Sequence, residues 1–117
     1  MRFLMLYRPD APEGTPPTPE DFAAMGAFID EISKAGVLLA AEGCQPSEKG
    51  ARVRQRDGKV TVTDGPFTEA KELIGGFALV EVKSTDEAIE WGKRFLKVAG
   101  DGESEIRLLH EAPAFEA

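Results

Sequence analysis

One cysteine, one histidine, one tryptophan and one tyrosine are all that 117 residues offer of those four types. A lone Cys44 excludes an intrachain disulfide, and with no Cys/His cluster there is no ligand set for structural zinc. Neither GxGxxG nor a P-loop occurs, so no nucleotide cofactor is expected, and none of another kind is suggested. No apolar run approaches the length of a membrane span. The opening run Arg2-Phe3-Leu4-Met5-Leu6-Tyr7 is too short for a signal core with a cleavage site, so the cytoplasm is the expected compartment. Basic residues are also scarce: 14 Lys and Arg face 21 Asp and Glu, a net charge of −7. That balance argues against a nucleic-acid or anionic-membrane partner, both of which want a basic footprint. What is present, 42% hydrophobic and 30% charged, suits one globular domain able to bury a core.

The hydrophobic pattern alternates strand and helix. Phe3 to Tyr7 reads as a strand covered on both faces, and the Pro- and Gly-rich stretch from Arg8 to Pro17 as loop. Thr18-Pro19-Glu20-Asp21 supplies an N-cap, a first-turn proline and acids. The spacing of Phe22, Met25, Ile29 and Ile32 then predicts a helix to about Ala35, closed by Gly36. Val37 to Ala41 is a second strand. Ala51 to Arg56 and Lys59 to Thr63 flank Asp57-Gly58, a strong signal for a type I′ hairpin, with Arg52, Arg54, Arg56 and Lys59 on one face and valines on the other. That basic face is expected to be solvated. Gly76 to Lys83 is a further strand, and Ser84 to Glu87 caps a helix carrying Ala88, Trp91, Phe95 and Leu96. Glu105 to Glu111 forms the last strand, and Ala112 to Ala117 a frayed tail.

Without the hairpin the order is β-α-β-β-α-β, the ferredoxin-like split βαβ of the α+β class, with both helices on one face of an antiparallel sheet. If Leu4, Leu6, Ala78, Val80 and Val82 face the helices, alternation sends Phe3, Met5, Tyr7, Phe77 and Leu79 the other way. A second face so apolar needs a cover, and a second copy of the sheet is the simplest.

The run Asp64-Gly65-Pro66-Phe67-Thr68-Glu69-Ala70-Lys71-Glu72, followed by Gly75-Gly76-Phe77, is the most specific stretch. Asp64 favours a turn, Gly65 permits positive φ, Pro66 fixes the next φ, Phe67 can anchor in apolar surroundings, and Thr68 can cap a helical turn. With Asp86 to Trp91, Glu42-Gly43 with Pro46, and Glu105-Ile106-Arg107, this run makes the chain resemble the DGPF-domain branch of the YCII-related proteins. The resemblance covers most of the chain. It implies a ferredoxin-like fold assembled as a homodimeric α+β barrel, and a neighbourhood beside sigma factors of the extracytoplasmic-function type. It implies no reaction. Some YCII-like proteins carry a His early in the first helical region, proposed as catalytic with an Asp; this chain has none there.

Strand polarity in that fold brings Tyr7, Glu42, Arg107 and the Asp64 to Glu72 loop to one end of the sheet. Asp64, Lys71, Glu72 and Arg107 are the candidate catalytic residues, as an anion clamp joined to an acid–base pair. Tyr7, Glu42, Phe67, Glu69 and Phe77 are the candidate substrate contacts, with Phe3, Met5 and Phe77 as an apolar floor and the Pro-rich loop as a lid. A salt-bridged loop tying strand ends together accounts for the same charges equally well. Cys44 and His110 are expected to pack rather than react, and oxygen ligands from Glu42, Asp64 and Glu72 match no defined metal loop. Two functions remain: a small-molecule binding protein or cofactor-independent enzyme of lyase or isomerase type, and a regulatory module linked to a sigma factor.

Overall fold

The computed structural model describes residues 1–69 and 73–111. Its elements are β1 (Arg2–Pro9), α1 (Pro19–Lys34), β2 (Leu38–Gly43), β3 (Ala51–Arg56), β4 (Lys59–Asp64), β5 (Gly76–Glu81), α2 (Thr85–Ala99) and β6 (Gly102–Leu108). The main sheet has the order β2-β5-β1-β6 with antiparallel neighbours throughout, and β3-β4 form a separate ribbon. This is the ferredoxin-like arrangement with an inserted hairpin.

Local chemistry explains the helix ends. The Thr18 hydroxyl accepts from the Asp21 N–H while the Asp21 carboxylate accepts from the Thr18 N–H, so two orphan donors of the first turn are satisfied. Ser84 caps α2 by accepting from the Glu87 N–H, and the Glu87 side chain reaches back to the Lys83 N–H rather than to Ser84. Asp57 and Gly58 both have positive φ, 51° and 78°, as a type I′ turn requires.

The register reverses the expected facing of β1. Phe3 lies opposite Val80, Met5 opposite Ala78 and Ile106, and Tyr7 opposite Gly76 and Ser104. Phe3, at 1% exposure, and Val80, at 0%, centre the core with Phe28, Ile32, Val37 and Ala88. Leu4, Leu6, Phe77 and Leu79 instead share the outer face, away from the helices. The expectation paired Leu4 and Leu6 with Val80, whereas residues directly opposite each other in an antiparallel ladder share a face, and the opposite of Val80 is Phe3. Phe3 and Met5 therefore belong to the core and not to any second-copy interface.

Two further differences follow from packing. On α1 the buried stripe is Phe28 and Ile32, while Phe22 is 67% exposed, because the first turns of the helix stand away from the sheet. β6 begins at Gly102 rather than Glu105: Gly102 pairs with Pro9 and passes so close to the Arg8 carbonyl that a Cβ would lie 2.6 Å from its oxygen. The β3-β4 ribbon projects, with Val53, Val60 and Val62 exposed on one face and Arg54, Arg56 and Lys59 on the other. The radius of gyration of 16.4 Å exceeds the roughly 13 Å of a compact domain this long, in keeping with an arm.

Phe3→Ala should destabilise the protein by about 3–5 kcal/mol through the cavity it leaves, and Phe22→Ala by no more than about 0.5 kcal/mol. Urea denaturation of the two variants measures the difference; equal losses would mean that the assigned facing of β1 and α1 is wrong.

Candidate functional site

The helix layer leaves a cleft of about 1340 Å³ over the sheet, at the end where β1 finishes and β5 and β6 begin. Met5, Tyr7 and Ala78 line it from the sheet, Met25 and Phe28 from α1, and Trp91 and Phe95 from α2. The loop from Pro9 to Pro17 closes one side. The aromatic rings are held edge to face: Tyr7 and Phe95 at 5.0 Å and 84°, and Phe28 and Trp91 at 6.1 Å and 63°. Edge-to-face contacts leave ring faces free at an angle to one another, the wall that a flat apolar molecule needs. Behind this wall Arg94 lies over the Trp91 ring, at 4.4 Å from its centroid, and pairs with Glu31 across the two helices.

Tyr7 supplies the polar end. Its hydroxyl points at the carbonyls of Ala99, Gly100 and Asp101, at 3.4–3.5 Å, where α2 turns into β6. Burial and then the carboxylates of Asp10 and Asp101 push its pKa above the ordinary tyrosine value. The two acids are brought together by the backbone, the Asp10 N–H donating to the Asp101 carbonyl at 3.0 Å. Gly75 must be bare, since a Cβ there would meet the Pro9 ring at 2.9 Å and the Tyr7 ring at 3.3 Å.

Ser47 clasps two loops at the mouth. Its N–H and hydroxyl both donate to the Glu13 carboxylate, each at 2.7 Å, and its hydroxyl accepts from the Phe67 N–H at 2.9 Å. The Pro-rich loop is thereby tied to the Asp64-Gly65-Pro66-Phe67 turn. Gly65 is required there for a different reason from the one expected: its φ is not positive, but any Cβ would overlap the Ser47 carbonyl. The Gly65–Pro66 peptide is cis.

Of the candidate residues, Tyr7 lines the cleft, and Glu42 and Phe77, register partners, border it with side chains on the other face by alternation. Asp64, Phe67 and Glu69 lie on the neighbouring turn outside the lining, Phe67 half-buried beneath the Arg52 guanidinium at 4.1 Å. Lys71 and Glu72 lie outside the described residues. Arg107 is not at this end: it pairs with Leu4 on the outer face and holds Glu105 at 3.0 Å. Arg107 and then Arg8 keep the Glu105 carboxyl below its usual range. The early start of β6 is what carries Arg107 away. Cys44 borders the cleft, exposed, while His110 lies at the far end, its carbonyl accepting from Arg2.

Asp10, Asp101, Trp91 and Phe95 line the cleft without being among the candidates read from sequence. The signal existed: with β6 beginning at Gly102, the Pro9–Gly102 pairing sets Asp10 beside Asp101. Among the described residues no cluster of His, Cys, Asp and Glu is arranged to hold a metal ion, and no helix is long and apolar enough to cross a membrane.

The YCII-related domain model matches residues 1–110, and the chain belongs to that family. An uncharacterised protein of Rhizobium meliloti (strain 1021) is 37% identical over 69 residues, an alignment that spans 59% of this chain and 56% of that one. Among solved structures, the 5-chloro-2-hydroxyhydroquinone dehydrochlorinase TftG of Burkholderia phenoliruptrix AC1100, in complex with 2,5-dihydroxybenzoquinone, superposes with a TM-score of 0.54. It is 19% identical, with 96% of each chain covered, a likeness of fold.

Tyr7 is the chain's one tyrosine, so the tyrosinate absorbance reads it alone. Its titration midpoint should lie above about 10 and fall toward that value in Asp10→Asn and Asp101→Asn. Because the folded state holds the phenol proton more tightly, stability should be unchanged below that pH and decline as the pH rises through the folded-state value. A midpoint at or below the free-tyrosine value would contradict this geometry.

Proposed function

We propose that this protein binds a small aromatic molecule in the cleft between sheet and helices, and acts on it by cofactor-independent acid–base chemistry of the lyase or isomerase type. The observation that carries this reading is the cleft itself: an apolar body of aromatic walls with the Tyr7 hydroxyl held at one end by backbone carbonyls. A phenol kept protonated serves as a hydrogen-bond donor or general acid toward a ligand oxygen when its one proton turns from the carbonyls at 3.4–3.5 Å. The Pro9 to Pro17 loop is the lid, and the Ser47 clasp couples it to the turn that bears Asp64 and leads into Lys71 and Glu72. Asp64 would reach the ligand through closure of the coupled loops. The dehydrochlorinase of similar fold binds a six-membered ring dione, which supports a ring-shaped ligand by analogy of fold only.

The functional unit in this reading is a homodimer. Leu4, Leu6, Phe77 and Leu79 form an apolar strip on the outer sheet face, flanked by Glu105 and Arg107. No element of the described chain lies over it. A second copy brings like to like across a two-fold axis, and the valine face of the projecting ribbon gives it a further apolar surface to bury. Arg107, out of reach of its own cleft, then acts at the interface.

Thermal-shift screening and calorimetry with small phenols and hydroquinones should give ligands that Trp91→Ala loses. Tyr7→Phe should bind them with about 0.5–1.5 kcal/mol less free energy. A screen without any hit would favour the regulatory, sigma-factor-linked reading. For assembly, light scattering after size exclusion should find a dimer in the parent and a monomer in Leu6→Asp, whose buried carboxylate would cost several kcal/mol, of order 3 or more, at an apolar interface. A monomeric parent at micromolar concentration would end the dimer proposal.

A further inference from the structure

We infer that the cleft selects a flat aromatic ligand that is cationic or uncharged and discriminates against its carboxylate analogue, an inference that rests on the small-molecule reading above. The charged residues that border the cleft among the described residues are all acids: Asp10, Glu13, Asp21, Glu42 and Asp101. Among the described residues no Lys, Arg or His lines it. Three of the acids are already engaged or turned away. Glu13 is bonded to Ser47, Asp21 closes the cap of α1, and Glu42 takes the opposite sheet face by alternation. Asp10 and Asp101 remain, both flanking the Tyr7 hydroxyl, and neither pairs with a cation among the described residues.

The nearby cations do not offset them. Arg8 turns to the outer face, where Glu105 holds it at 2.9 Å and Glu103 at 3.7 Å. Arg107 is bonded to Glu105 on the same face. Arg94 pairs with Glu31 and lies against Trp91 without lining the cleft. A ligand with its polar group toward Tyr7 therefore meets a protonated phenol and two solvent-exposed carboxylates at the mouth of the cleft. A ligand carboxylate there is repelled by both, while an amidinium or ammonium gains from both and from the ring faces. Of the anion clamp expected from sequence, Arg107 lies away from this end of the cleft and Lys71 lies outside the described residues.

Benzamidine, benzamide and benzoate share one shape and differ in charge, and the indole N–H resonance of Trp91, the one tryptophan, reports occupancy for each. At physiological salt, where the overall charge is screened, benzamidine should bind at least about tenfold more tightly than benzoate, with benzamide between them. In Asp10→Asn/Asp101→Asn the ratio should shrink to about threefold or less, with benzamide affected least. Benzoate binding as tightly as benzamidine in the parent would overturn the charge preference and leave the ligand-binding reading standing. A ratio that survives in the double variant would remove Asp10 and Asp101 as its source and overturn the inference. If none of the three shifts the Trp91 resonance, this inference falls, while the small-molecule reading is decided by the phenol and hydroquinone screen.

Discussion

Pairing of β1 on both of its edges decides where the other parts of the molecule go. Each residue from Phe3 to Tyr7 is opposed on one side by β5 and on the other by β6, so the register of β1 fixes the facing of three strands together. With Phe3 opposite Val80, Phe3 and Met5 enter the helix layer, and Tyr7, two residues beyond Met5, comes to the end of that layer. A slip of one residue would bury Leu4 and Leu6, send Phe3 and Met5 to the outer face, and take Tyr7 out of the cleft. Full burial of Phe3 and Val80 is what makes such a slip costly.

The cleft exists because α1 covers only part of the sheet. Phe28 and Ile32 in its later turns fill the core, while Phe22 and Met25 nearer its start border open space. Strand ends without side chains deepen that space: Gly75 lets Pro9 and Tyr7 approach the start of β5, and Gly102 lets β6 pair at once with Pro9. The same crowding places Asp10 beside Asp101. Position of the strands, charge at the cleft end and protonation of Tyr7 are thus one chain of cause, running from register to electrostatics.

The architecture was legible in the sequence because it depends on short-range signals. The caps at Thr18 and Ser84, the Asp57-Gly58 turn and the apolar periods are each contained within a few residues, and the hairpin formed as the spacing implied. The family could be read from the DGPF run for the same reason. Facing was not legible. Phe3-Leu4-Met5-Leu6-Tyr7 is apolar at every position, so no alternation marks the buried side, and only the pairing with Ala78 and Val80 resolves it. The start of β6 was misplaced because the glycines near it suggest a turn, whereas Gly102 serves close strand contact. From that error Arg107 was put at the cleft and Asp101 overlooked. Gly65 was read as a residue of unusual φ when its role is to make room for the Ser47 carbonyl, a contact between segments that no local rule reveals.

A crystal structure of the protein soaked with an uncharged hydroquinone tests the central claim most directly, because it shows position as well as occupancy. The ring should lie among Phe28, Trp91 and Phe95, with an oxygen within hydrogen-bond distance of the Tyr7 hydroxyl and the Pro9 to Pro17 loop drawn over it. A cleft that stays empty or is filled by Phe22 from α1, with the ligand bound on the outer sheet face or nowhere, would contradict the account.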